Sequence, residues 1–189
     1  MIIQALLVGV TVCMLDFLDV WLCNPMITRP LIVGTAMGIA LGDVKTGVQV
    51  GASLELVFMG VMAIGGTVPP DSIHGTAVGT AYAIILGKGI ETAFALAVPA
   101  SIVCQMLFVP GIGLRSLFTP YVERQVSKGN WKALQRIFPV VSISYEVFNG
   151  TICGLAVLLG ADVMRSFIDS VPQTLLDGMG VAANMLGAV

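Results

Sequence analysis

The stretch PLIVGTAMGIALGDVKTGVQVGASLELVFMGVMAIGGTV, residues 30–68, decides the fold. Its first arm, Pro30 to Gly42, is apolar but only 13 residues long. Asp43, Lys45 and Thr46 then interrupt it. The apolar run Gly47 to Val68 is long enough to span a bilayer and carries Glu55 inside, and the second arm of the hairpin is read as Asp43–Ile64. A spanning helix needs about 20 mostly apolar residues, so the first arm is too short to cross. The pair reads as a helical hairpin with its tip at Gly42-Asp43-Val44-Lys45-Thr46-Gly47. Irregular backbone within a membrane is tolerated only where protein or a water-filled cavity surrounds it. Broken helices of this kind hold the substrate in transporters.

The rest of the chain agrees with a lipid environment. Hydrophobic residues make up 57% and charged residues 11%, against roughly 25% charged in soluble domains. A surface so poor in charge precipitates unless lipid covers it. A net charge of -2 gives no argument for a nucleic-acid partner. The N-terminal run to Leu15 is apolar, stops at Asp16 and Asp19, and reads as the first membrane element rather than a removable leader. Further apolar runs are Ser72–Leu86, Ile90–Val109, Pro139–Ala161 with Glu146 inside, and a last one beginning at Val171. The expectation is an all-α integral membrane protein: a multi-helix bundle with broken helices and a re-entrant hairpin, one transmembrane domain over 1–189.

Residues 112–136 differ. Arg115, Arg124, Lys128, Lys132 and Arg136 face one acid, Glu123. Five of the nine basic residues lie here, so the positive-inside rule places the segment on the cytoplasmic side. It reads as interfacial helix, either a solvated segment with a topogenic bias or a docking surface.

Small residues recur at helical spacing: Gly34, Gly38 and Gly42, then Gly47 and Gly51, Gly75 and Gly79, and Gly150 and Gly154. Each stripe lets another helix approach closely, and packing within the chain is the plainer use of any one of them. The four cysteines are dispersed without a CxxC pair, which argues against metal binding and for small packing residues.

Glu55 is alone in its apolar arm, with Gly51, Ala52 and Met59 as helical neighbours. A central membrane acid costs at least about 2.5 kcal/mol, so it turns toward protein or water. There it either binds sugar hydroxyls or fixes the fold by pairing with Lys45 or a tip amide. Asp71 follows Pro69-Pro70 and precedes a helix near Ser72, an N-cap placement; a second role in binding stays open. His74, the only histidine, reads as a hydrogen-bonded structural group. Asp43 and Lys45 read as an exposed salt bridge at the tip. No Walker A loop, Ser/His/Asp arrangement or HExxH motif occurs, so neither a catalytic centre nor a metal or other cofactor is expected.

The runs Arg29-Pro30-Leu31-Ile32, Gly38-Ile39-Ala40-Leu41-Gly42-Asp43-Val44-Lys45-Thr46-Gly47 and Gly51-Ala52-Ser53-Leu54-Glu55-Leu56, with Gly60, Ile64-Gly65 and Pro70-Asp71, resemble the membrane subunit IIC of the mannose/fructose/sorbose branch of the bacterial sugar phosphotransferase system. The likeness runs along the whole chain and includes Val171-Pro172-Gln173 and Leu176-Asp177-Gly178-Met179. It implies a multi-pass protein of the bacterial cytoplasmic membrane that binds a hexose or amino sugar and passes it inward. It implies assembly with a IID subunit into a trimer of IIC–IID pairs. Phosphorylation is then the task of a cytoplasmic IIAB partner fed by HPr, not of this chain. By position the resemblance assigns Gln4, Glu55 and Asp71 to the sugar site, and Gln4 has no other claim to it. Gln49 stands where relatives are often apolar, and the wording leans toward the N-acetylgalactosamine/galactosamine subgroup. Family chains usually run some tens of residues further. The end at Val189 points to a shortened subunit, a truncated product or a fragment, with closing helices expected to be absent. Two other readings remain: a membrane scaffold that docks IID and IIAB without transporting, and an ion-coupled secondary sugar transporter using Glu55 and Asp71 as proton or cation ligands.

Overall fold

The computed structural model describes residues 1–61, 69–87 and 89–161, and beyond these the isolated positions 164, 166, 172, 174, 178 and 181. The expected end of the second arm, the Ile64-Gly65 motif and most of the last expected run lie outside the described residues. The described residues form seven helices and no strand: α1 Ile2–Trp21, α2 Pro30–Leu41, α3 Val44–Phe58, α4 Ser72–Leu86, α5 Gly89–Ser116, α6 Thr119–Ser127 and α7 Trp131–Leu159.

The hairpin is present. Pro30 opens α2 at a position whose missing N–H is no loss. Gly42 closes it in the left-handed region at φ 86, a conformation that favours glycine. Asp43 then caps α3: its side chain accepts from the Thr46 amide at 3.1 Å and the Thr46 hydroxyl at 2.6 Å. The carboxylate is therefore spent on Thr46 rather than on the expected pair with Lys45. The two arms meet backbone to backbone. A Cβ on Gly34 would stand 2.6 Å from the Gly51 Cα, and one on Gly47 would stand 2.6 Å from the Gly38 Cα. At about 18 and 22 Å, α2 and α3 each fall short of the roughly 30 Å hydrocarbon core.

Helix α4 is the hub. Every residue from His74 to Ala83 is buried, as expected of a helix that is apolar or small all round. Gly75 and Gly79 seat it on Ser101 and Ala97 of α5, where an added Cβ would come within 2.5 and 2.7 Å of a side-chain carbon. The Tyr82 hydroxyl lies 2.8 Å from the Ala156 carbonyl and 3.2 Å from that of Val157, tying α4 to α7. Helices α1 and α7 run antiparallel: Gly9 meets Gly150, and Gly154 meets Ala5. Apart from Gly42, whose added Cβ would meet nothing within 4 Å, the stripe glycines on described helices thus serve packing within the chain.

Three expected boundaries change. The first helix does not stop at Leu15 but continues through Asp16 and Asp19 to Trp21. Asp19 remains useful to the chain after the helix, accepting from the Ile27 amide at 3.0 Å. Helix α5 runs on to Ser116, past the expected end at Val109. Helix α7 begins at Trp131 rather than Pro139, because Asn130 caps it through the Ala133 amide at 3.3 Å; Pro139 sits inside the helix.

The outer surface is that of a bundle in lipid. Ile2, Leu6, Val10 and Met14, spaced by four residues along α1, are more than half exposed. Helices α1 and α7 are each long and apolar enough to cross a membrane. Between them lies an open groove of about 600 Å³ lined almost wholly by apolar side chains, among them Leu6, Met14, Val147 and Leu155. It offers a polyol almost nothing to bond. Helix α6, by contrast, buries none of its residues.

Candidate functional site

The polar groups inside the bundle gather in two places. The first is the open end of the hairpin. Glu55, late in α3, reaches the start of α2: its Oε1 pairs with Arg29 Nε at 2.7 Å, and its Oε2 accepts from the Leu31 amide at 3.2 Å. One carboxylate therefore meets a free amide at a helix N-terminus and neutralises a cation beside it. The expected alternative partner, Lys45, is ten residues back along α3, about 15 Å away along the axis, and does not take part. The Glu55 side chain keeps about a fifth of its surface exposed and Arg29 nearly half.

The second place is the N-terminus of α4. Asp71 caps it as expected, accepting from the Ile73 amide at 3.1 Å and the His74 amide at 3.0 Å through Oδ1. Its Oδ2 lies 2.7 Å from His74 Nδ1. The Asp71 amide donates to the Ser101 carbonyl at 3.2 Å, anchoring the cap to α5. The other face of the imidazole turns to α1: Nε2 stands 3.4 Å from Asp16 Oδ2. That separation suits an ion pair, although neither atom has hydrogen-bond geometry to a partner. The Phe108 ring covers the imidazole at 4.1 Å between centroids. Asp16 and His74 are 7% and 4% exposed, so this is a charged network within the core.

A third charge pair extends the cluster. Glu146 on α7, 3% exposed, meets Arg115 Nη2 at 3.3 Å. The guanidinium lies 3.5 Å above the Tyr145 ring, a cation–π placement. On α4 and α7 the side-chain oxygens of Thr76, Thr80, Ser142 and Asn149 are also buried without a hydrogen-bond partner. Such groups are few in folded proteins, and each calls for a water, ion or ligand to explain it.

Of the residues singled out in the sequence, Glu55 and Asp71 lie on the same side of the bundle, where α1 and α3 end and α2 and α4 begin. Each has its own partners, and no described bond links the two. Gln4 is half-buried in the first turn of α1. It lies about 18 Å along that helix from Asp16 and so far from the Asp71 contacts. Sequence alone does not mark Asp16, Arg115, Glu146 or Asn149 as site residues, and it gives His74 only a structural part. Periodicity held the signal for Asp16: Val8, Val12 and Asp16 form one i, i+4 stripe, all buried.

Comparison with known proteins adds the following. A family described as PTS system sorbose-specific IIC component matches residues 2–189. The mannose-specific EIIC component of Escherichia coli (strain K12) is 29% identical over 163 residues, 85% of this chain and 61% of that protein. The chain thus spans about three fifths of the length of that relative. The N-acetylgalactosamine permease IIC component 1 of the same organism is 30% identical over 191 residues, 97% of this chain and 70% of that one. Among solved structures, a chain of the mannose transporter ManYZ–microcin E492 complex superposes with a TM-score of 0.73. The two are 28% identical, and the match covers 97% of this chain and 74% of the other.

Proposed function

The chain belongs to the sorbose/mannose family of phosphotransferase-system IIC components, and from that premise we propose that it binds a hexose or amino sugar within the membrane and passes it inward for phosphorylation by a partner. The observation that supports this reading is the polar groups inside the bundle: Asp71 with His74 at the cap of α4, and the buried side-chain oxygens of Thr76 and Thr80 on α4 and Asn149 on α7. A polyol's hydroxyls are what unpartnered buried oxygens would accept. Glu55 at the hairpin's open end supplies a second carboxylate with residual exposure. Gln4 belongs to the proposed site only by family position.

The partners follow from the same premise: a IID subunit in the membrane, a IIAB protein that carries the phosphoryl group from HPr, and a trimer of IIC–IID pairs. The place is the bacterial cytoplasmic membrane, crossed several times, with the basic segment 112–136 on the cytoplasmic side. The amino-sugar subgroup rests on the wording of the sequence, and the N-acetylgalactosamine permease component and the mannose transporter chain each match 97% of the chain.

Uptake by membrane vesicles containing the chain with its IID and IIAB partners tests the reading. Sugar phosphate should accumulate inside only when phosphoenolpyruvate is supplied. A second reading, ion-coupled transport, is favoured by the buried cluster of Asp16, Asp71, His74 and Glu146. It predicts free sugar accumulation that an uncoupler abolishes. Complex formation without uptake by either route would leave a docking scaffold.

A further inference from the structure

The imidazole of His74 has a carboxylate at each end: Asp71 Oδ2 at 2.7 Å from Nδ1, and Asp16 Oδ2 at 3.4 Å from Nε2. A neutral imidazole carries one N–H and one lone pair. With one proton only, the lone pair of the other nitrogen would face a carboxylate oxygen inside the core, at atoms sealed from solvent. Nothing polar separates them, and low polarity sharpens the repulsion. A second proton turns that repulsive contact into an attractive one. We infer that His74 is a positioning residue for Asp71, held as a doubly protonated imidazole between Asp71 and Asp16, so that α1 fixes the carboxylate at the start of α4 through the ring.

The surroundings fit the assignment. Asp71 Oδ1 is taken by the cap amides of Ile73 and His74, so Oδ2 is the oxygen whose direction the ring decides. Phe108 closes one face of the ring. From the helices packed on α4, the titratable groups near this place are Cys13 and Asp16 on α1, Cys104 and Arg115 on α5, and Glu146 and Cys153 on α7. Helix α2 carries no charged residue, and Glu55 of α3 is committed to Arg29. Arg115 offsets Glu146, leaving the imidazolium as the cation between the two aspartates.

The functional part of this inference rests on Asp71 contacting the sugar; the proton count does not. His74 is the only histidine in the chain, so protein labelled with 15N-histidine and carrying a histidine-free tag gives one imidazole spectrum. In detergent near neutral pH both ring nitrogens should appear as N–H. A single protonated nitrogen in the wild-type spectrum overturns the proposal. In Asp16→Asn the Nε2 proton should be lost while Nδ1–H stays, and Asp16→Glu should restore the wild-type pattern. An unchanged Asp16→Asn spectrum also overturns it. Sugar binding by the complex with IID separates the two readings. Asp71→Asn should abolish it, and Asp16→Asn should weaken it about tenfold, the scale of one charge-assisted hydrogen bond. If Asp71→Asn binds as wild type, the sugar-site reading fails while the spectrum still decides the clamp. If Asp71→Asn loses binding and Asp16→Asn does not, the sugar site stands and the positioning role falls. Should Asp16→Asn not fold, the wild-type and Asp16→Glu spectra decide the proton count.

Discussion

Glu55 Oε1 lies 2.7 Å from Arg29 Nε, and the same carboxylate accepts from the Leu31 amide. Glu55 is thereby the brace that closes the open end of the α2–α3 hairpin, as well as the acid proposed to meet sugar. The two roles separate by mutation. Arg29→Gln removes the ion pair and leaves the carboxylate in place. With Arg29 nearly half exposed, its loss should cost at most about 1 kcal/mol and leave sugar binding measurable. Glu55→Gln should abolish binding while assembly with IID persists. Equal binding by wild type and Glu55→Gln, measured by isothermal titration of the purified complex, would reduce Glu55 to the brace alone.

The hairpin depends on contacts between backbones. Gly34→Ala places a methyl group 2.6 Å from the Gly51 Cα and 2.8 Å from the Gly47 carbonyl oxygen. Backbone cannot rotate away as a side chain can, so the arms must part. The expected cost is about 1–3 kcal/mol, the range of overpacked cores. Gly113→Ala on α5 is the control, since nothing lies within 4 Å of its added Cβ. Thermal unfolding in detergent should lower the midpoint for Gly34→Ala and hold or raise it for Gly113→Ala. Equal midpoints would mean the close approach is not realised.

The hairpin was legible because its signals are local. Gly34 and Gly38 stand four residues apart on one arm and Gly47 and Gly51 on the other, Pro30 and Asp43 mark helix starts, and Gly42 marks a stop. Asp71 as a cap was legible for the same reason, since it stands directly before the run it caps. The Asp16–His74 and Arg115–Glu146 contacts join residues far apart in sequence, and pairing at that distance leaves no local trace. Asp16 is hidden because an acid in an apolar run marks the end of a helix when sequence alone is considered. Once paired, a buried acid no longer ends one, and α1 continues for another turn and more. Arg115 was read only as part of a topogenic cluster, yet it leaves that cluster to cover Glu146 and Tyr145. The site's charged half was therefore hidden by tertiary pairing, while its capping half was not.

Asp71 does more than cap. Losing a cap alone costs about 1 kcal/mol. Here the same carboxylate also holds His74 Nδ1 inside the core. Asp71→Ala should therefore cost about 1–3 kcal/mol beyond the cap, the desolvation penalty of a stranded buried polar group. Measured in an Asp16→Asn background, where His74→Leu strands no charge, the double variant Asp71→Ala/His74→Leu removes the stranded ring and should recover part of that excess. Denaturation of the four members of the cycle, in detergent, reads the coupling. Strict additivity would show that the contact contributes nothing.

Arg115 and Glu146 are unequal partners, and their variants should be unequal too. Glu146 is buried, with 4% of its side chain exposed, while 42% of Arg115 reaches the surface. Arg115→Ala leaves a carboxylate alone in the core beside Asp16. Breaking a fully buried pair this way costs about 3–5 kcal/mol, and the partial exposure of Arg115 puts the expected loss below that range. Glu146→Gln removes the buried charge and leaves the arginine able to reach water and to stay over Tyr145, so its cost should be smaller. The order of unfolding midpoints should be wild type, then Glu146→Gln, then Arg115→Ala. In the double variant Arg115→Ala/Glu146→Gln the midpoint should rise again from that of Arg115→Ala, because the stranded charge is gone. If Arg115→Ala instead unfolds with the wild type, Glu146 is relieved by some other group, and the Arg115 contact is not what makes it tolerable in the bundle.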